Sequence, residues 1–173
     1  MKALVVYETM WGNTEQVARA VATGVGESYQ VDVIEASGAP SRPGPEVSLI
    51  VAGGPTHAFS MSRPRTRADA LTRGADHGTE GSGLREWLEQ LPAGDHQQVI
   101  ATFDTKVKKV KLLPGAAKGA AKVAAQHGYQ RAAHAESFYV QDTEGPLVDG
   151  ELERARQWGR QIAAAATRSS IGS

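Results

Sequence analysis

Between Val5 and Val21 the sequence reads VVYETMWGNTEQVARAV, and no other stretch limits the fold as tightly. It opens inside the apolar run Ala3-Leu4-Val5-Val6-Tyr7, which suits a strand covered on both faces, as in a parallel sheet. It closes on a helical pattern, with Val17, Ala18, Val21 and Val25 on one face. That helix is predicted to start at Asn13 or Thr14, where Asn13 and Gln16 have capping-box spacing, and to stop near Gly24 to Gly26. The connecting loop is Thr9-Met10-Trp11-Gly12-Asn13-Thr14. Its hydroxyls can donate to phosphate oxygens, Gly12 permits a tight turn, and Asn13 tolerates unusual backbone angles. The unpaired N–H groups of the following helix favour an anion at the same place.

Downstream the same alternation repeats. Strands are predicted at Gln30–Glu35, Val47–Ala52, Gln98–Phe103 and Ala132–Val140. Helices are predicted at Arg63–Thr72 and Leu84–Leu91, then through Leu113, Ala116, Ala120 and Ala124 to His127-Gly128. In the last helix Leu152, Ala155, Trp158, Ile162 and Ala166 share a face, and Trp87 and Trp158 belong to the core. The proline-rich ASGAPSRPGPE segment admits only a loop or a single turn. The pattern predicts an α/β three-layer sandwich built on a five-stranded parallel sheet with right-handed crossovers. Residues 1–168 are read as a single domain and 169–173 as a frayed tail.

Bulk composition narrows the chemistry. Nineteen basic and nineteen acidic side chains cancel, so no global charge draws the chain to nucleic acid or an anionic membrane. Without cysteine there is no disulfide, thiolate nucleophile or cysteine-ligated metal. The N-terminal MKALVVY is too short for a signal-peptide core, and no apolar run approaches the roughly 20 residues of a membrane span, so a cytoplasmic protein is expected.

In a parallel sheet ligands sit beyond the C-terminal strand ends. Three predicted loops emerge there: Thr9–Thr14, Gly53–Phe59 and Phe103–Lys106. No lysine follows Gly12, which rules out a Walker A loop, and GxGxxG is absent after the first strand. A cysteine phosphatase lacks its nucleophile here. A receiver domain would need an acidic cluster where Tyr7-Glu8-Thr9 stands. What remains is a neutral loop lined by hydroxyls and amides.

That loop resembles the flavodoxin signature, from Val5-Val6-Tyr7-Glu8-Thr9-Met10-Trp11-Gly12-Asn13-Thr14 on to Ala18 and Val21. The resemblance implies a flavodoxin-like strand order, 2-1-3-4-5, and a non-covalent FMN. Its phosphate would lie in Thr9, Met10, Trp11, Gly12, Asn13 and Thr14. Its ring would lie between Pro55, Thr56, His57, Ala58 and Phe59 on one side and Phe103, Asp104, Thr105 and Lys106 on the other. His57, Phe59 and Trp11 are the candidates to flank the ring.

The chain departs from the acidic carriers of that family. It is neutral, and its expected rim is basic: Lys106, Lys108, Lys109 and Lys111 in the third loop, Arg63, Arg65, Arg67 and Arg73 after the second. That rim is either a solvated mixed-charge surface or a seat for an anionic substrate, a nicotinamide dinucleotide or an acidic redox partner. Cations beside a flavin would raise its potential. The expected function is FMN-dependent electron transfer to or from a redox partner protein. The alternative is an FMN-dependent oxidoreductase that takes electrons from a nicotinamide donor, NADH or NADPH, to a quinone or similar small molecule. A third reading is a flavin-free interaction domain.

Overall fold

A computed structural model describes residues 1–171. Strand β1 (Lys2–Tyr7) lies between β2 (Gln30–Glu35), at the edge, and β3 (Val47–His57), at the centre. Next to β3 runs β5 (Val99–Val107), and the fifth position is shared by two pieces, β6 (Gln130–Arg131) and β7 (Glu136–Val140). All of these pairings are parallel. The order 2-1-3-4-5 therefore holds by position, with the last strand broken. The added β4 (Ser60–Met61) folds back antiparallel on the end of β3.

The two-residue period of a strand explains why one apolar run can serve two cores. Ala3, Val5 and Tyr7 enter one cluster, Leu4 and Val6 the other. The division recurs in β3, where Leu49 and Val51 join the first cluster and Ile50 and Ala52 the second. Helices α1 (Asn13–Val25) and α5 (Glu151–Ile171) cover the first face through Val17, Val21, Trp158 and Ile162. Helices α3 (Leu84–Gln90) and α4 (Ala116–Gln126) cover the second through Leu84, Trp87, Leu88, Ala116, Ala120 and Ala124. A further helix, α2 (Pro64–Thr72), follows the β3–β4 turn.

Several expectations change. The segments expected as loops after the third and fourth strands are largely strand, because β3 and β5 continue to pair through Gly53↔Phe103, Gly54↔Asp104 and Pro55↔Thr105. Leu113 lies outside α4 and is 44% exposed, and Leu152 sits on the solvent side of α5 at 43%. Helix α5 extends to Ile171, into the stretch expected to fray; residues 172–173 of that tail lie outside the described residues. No helix among the described residues is long and apolar enough to cross a membrane.

Candidate functional site

The C-terminal ends of β1, β3, β5 and β7 open onto one groove, and the loop after β1 forms its floor. Gly12 adopts the left-handed conformation (φ 85°) immediately before α1, a conformation that costs glycine least. The Gly12 N–H donates to Thr9 Oγ1 at 3.0 Å, which closes the loop on itself and leaves the Thr9 hydroxyl proton free to donate outward. Thr14 Oγ1 meets Thr105 Oγ1 at 2.7 Å, tying α1 to the end of β5. With Thr105 as donor, the Thr14 proton too is free for a ligand.

The expected capping box does not form. Helix α1 has no side-chain cap, and its first backbone bond is Gln16 N–H to Gly12 O at 3.2 Å. Asn13 instead donates through Nδ2 to Glu144 O at 3.0 Å, binding the loop after β7 to the loop after β1. The first-turn N–H groups of α1 are thus left with the positive end of the helix dipole and no competing side chain.

A cavity of about 80 Å³ lies over this loop, lined by Thr9, Met10, Trp11, Asn13, Thr14, Pro55, Thr56, His57, Thr105 and Lys106. Ten of the fifteen expected site residues therefore meet there. Val107, Val140 and Thr143 complete the wall and were not foreseen. A second cavity of about 280 Å³ adjoins it at Trp11, Thr56, His57 and Thr143 and continues past Ala58 to Asp69 and Arg73.

The other expected residues take different positions. Gly12 shapes the loop through its backbone. Phe103 is fully buried in an edge-to-face cluster with Phe138 and Trp158, and a Cβ on Gly53 would fall 2.1 Å from its ring. Asp104 is buried and accepts the Ala117 N–H at 2.8 Å, so it caps α4 from β5. Burial pushes its carboxyl above the usual range despite that bond. Phe59 is 51% exposed and lines neither cavity. It shares with Ala58 a two-residue hairpin turn, both at positive φ (64° and 47°). Left-handed backbone costs an L-residue about 1–2 kcal/mol, so the sheet and α2 must hold this turn in place.

Two of the cations expected on the rim are internal. Arg67 is fully buried and forms a paired contact with Glu86, with Nη2 at 2.7 Å from Oε1 and Nη1 at 3.1 Å from Oε2. It also donates to Ser62 Oγ (2.9 Å) and Glu80 O (2.9 Å). Ser62 in turn donates to buried Glu8 at 2.5 Å, and Leu84 N–H donates to the same carboxyl at 2.7 Å. Burial raises the Glu8 pKa, and these donors with Arg67 offset part of that rise. A chain of contacts thus runs from the end of β1 to α2 and α3, behind the cavity. Lys106, also buried, donates to Leu113 O at 3.0 Å. Lys108, Lys109, Lys111, Arg63, Arg65 and Arg73 remain exposed.

The glycine-rich segment after α2 folds over the first loop. His77 N–H donates to Met10 O at 3.2 Å, and the His77 ring lies 3.5 Å from where a Gly12 Cβ would stand. Gly78 (φ 77°) passes so close that its Cβ would meet Met10 Sδ at 2.6 Å. The glycines between α2 and α3 could have signalled this close approach.

His57 bridges both cavities. Burial, aided by the charges of Arg67 and Arg73, lowers its pKa to about 4, and Nδ1 lies 3.0 Å from Thr66 Oγ1. A histidine with a lowered folded pKa binds its proton in the unfolded chain first. It therefore withdraws stability as pH falls from 6.5 towards 4. We expect His57→Gln to flatten the stability–pH curve in that window relative to the parent protein, measured by urea unfolding at successive pH values. Equal slopes in the two proteins would place His57 in solvent.

No protein-family model and no curated protein sequence matches the chain. Solved structures do. A flavodoxin from the domain Archaea is 19% identical with a TM-score of 0.63, over 96% of this chain and 99% of that one. Oxidised flavodoxin 1 from Bacillus cereus is 14% identical with a TM-score of 0.68, over 95% and 98%. The flavodiiron protein from Giardia intestinalis is 15% identical with a TM-score of 0.61, over 99% of this chain and 37% of that one. With near-complete mutual coverage at these TM-scores, and a parallel sheet covered by helices on both faces, the chain has the fold of the flavodoxins.

Proposed function

We propose that this protein binds FMN non-covalently in the groove over Thr9–Thr14 and serves in electron transfer. The observation that carries the reading is the uncapped start of α1 beneath a cavity, beside the hydroxyls of Thr9 and Thr14. This donor set suits a phosphate dianion: it offers N–H and O–H donors and no carboxylate. A helix terminus contributes about 0.3–2 kcal/mol to a bound anion, so the hydroxyl and amide bonds must supply the larger share.

When bound, the flavin supplies the electron chemistry, and the chain's residues bind, orient and shield it. Thr9, Thr14 and the α1 N–H groups would hold the phosphate, while Trp11, His57, Thr105 and Lys106 would line the path of the rest. His57 stays neutral at physiological pH and so presents a flat, uncharged ring. The nearest internal cation is Lys106, which would favour reduced, anionic flavin. A second reading, an oxidoreductase with a nicotinamide donor, draws on the adjoining cavity with Arg73 at its far wall. The protein is expected to act in the cytoplasm.

Titration with FMN, followed by flavin fluorescence quenching, tests the cofactor. Saturable binding is the expected result, and its absence would return the chain to the class of flavin-free interaction domains. Rapid bleaching by NADH or NADPH alone would select the oxidoreductase over the carrier. Thr14→Ala should weaken FMN binding about ten- to a hundredfold, as expected for one hydrogen bond to a charged group. Riboflavin, which has no phosphate, should bind both proteins alike. An equal loss for riboflavin would move the phosphate away from Thr14.

A further inference from the structure

We propose that the turn from Lys108 to Leu113 is a docking surface for an acidic protein. Lys108, Lys109 and Lys111 project into solvent without an ion pair among the described residues, whereas Lys2, Arg19, Arg154 and Arg160 each hold a carboxylate. Among them stand two apolar side chains that the fold leaves outside: Leu112 is 91% exposed and Leu113 44%. The net charge of the chain is zero, so this positive excess is local. Two acids lie close. Asp149 shares a groove with Lys108 and Lys109, and Glu151, itself buried, is engaged by Arg154. Neither cancels all three lysines.

The turn is built rather than loose. Lys108–Val110 is a single 3-10 turn, Lys111 N–H bonds Lys108 O at 3.2 Å, and Leu113 N–H bonds Val110 O at 2.9 Å. Lys106, from inside β5, anchors the far end by its bond to Leu113 O. The exposed leucines are thus presented on a fixed frame, which lowers the entropy lost on association. Apolar contacts ringed by like charge match the anatomy of a protein interface, and lysine favours an acidic opposite face. Val107, the residue before the turn, lines the cavity, so a partner seated here would stand beside whatever that cavity holds. The partner's role as an electron donor or acceptor rests on the FMN reading; the docking itself does not. Three lysines with two leucines fall short of the roughly four to eight basic residues of an anionic-lipid cluster, which favours a protein.

The test uses the full chain, with and without added FMN, and two probe proteins of opposite charge: a plant-type ferredoxin, which is acidic, and cytochrome c, which is basic. Binding is followed by titration calorimetry at about 20 mM and about 500 mM salt, where screening lengths differ several-fold. The ferredoxin should bind at low salt, with affinity reduced at least tenfold by K108E/K109E/K111E and largely lost at high salt. Leu112→Ser should weaken it further without changing the salt slope. Cytochrome c should gain affinity in the triple variant. Equal ferredoxin affinity in parent and triple variant would overturn the proposal. So would indifference to both probes combined with Lys-dependent binding to vesicles containing phosphatidylserine, which would make the turn a membrane contact. Ferredoxin binding that persists in a chain unable to take FMN would sustain this surface while removing the cofactor reading.

Discussion

Arg67→Ala should destabilise the protein by about 3–5 kcal/mol, the usual cost of breaking a buried ion pair by deleting one partner. The guanidinium has no solvent exposure, and four groups depend on it: Glu86, Ser62, the Glu80 carbonyl and, through Ser62, Glu8. Alanine leaves a cavity with acceptors facing it and the carboxylates of Glu8 and Glu86 without their cation. At the size of this chain each kcal/mol moves Tm by about 2–4 °C, so the midpoint should fall by about 6–20 °C. Urea unfolding gives the free energy directly. A double variant, Arg67→Met with Glu86→Gln, should recover part of the loss, because it removes the stranded charge along with the cation. A loss below about 1 kcal/mol for Arg67→Ala would mean that water reaches this network.

The second large effect concerns the crossing of α1 and α5. A Cβ on Gly24 would stand 2.0 Å from Arg156 O, and one on Gly159 would stand 2.3 Å from Val21 O. The two glycines face each other across the crossing, each making room for the other helix's backbone. Backbone cannot yield as a flexible side chain can, so Gly24→Ala must push the helices apart and loosen the Val21, Trp158 and Ile162 contacts. Alanine gains about 1 kcal/mol of helix propensity over glycine, and overpacking against backbone, at the upper end of about 1–3 kcal/mol, should exceed that gain and leave a net loss of about 2 kcal/mol. Gly119→Ala in α4 provides the opposite case. Its nearest neighbour would be Met61 Cε at 3.7 Å, ordinary contact, so the propensity gain should appear as added stability of about 0.5–1 kcal/mol. Thermal melts of the three proteins should therefore rank Gly119→Ala above the parent and Gly24→Ala well below. Any other order would contradict the close crossing.

Much of the fold was legible because its signals are local. The run around Val5 encodes burial on two faces, and α1 declares its inward side through Val17, Ala18 and Val21. The ten expected residues that line the cavity were found by a spacing within one loop and by strand ends that any parallel sheet brings together. The misplacements share a cause. Phe103 and Asp104 were assigned to a loop, but β3 continues to pair beside them, and pairing depends on a neighbour some 50 residues away in sequence. Asn13 has the chemistry of a cap and was expected to act as one. The carbonyl of Glu144, supplied by the loop after β7, claims its amide instead. Thr143 gave no signal at all, since it reaches the cavity only because that same loop is held down.

Charge shows the division most plainly. The sequence located the basic residues near the site but could not sort them. Arg67 and Lys106 look no different in sequence from Arg65 and Lys108, yet the first two are internal and the last two face water. Side-chain periodicity and backbone permissiveness are properties of a few consecutive residues, so the sequence by itself determined the alternation of strands and helices, the two-sided core and the neutral, hydroxyl- and amide-lined loop at Thr9–Thr14. The fate of a charge is decided by what the fold brings against it. Only the tertiary structure, by placing Glu86 opposite Arg67 and the Leu113 carbonyl opposite Lys106, could take those two cations out of the expected basic rim and leave the others in water.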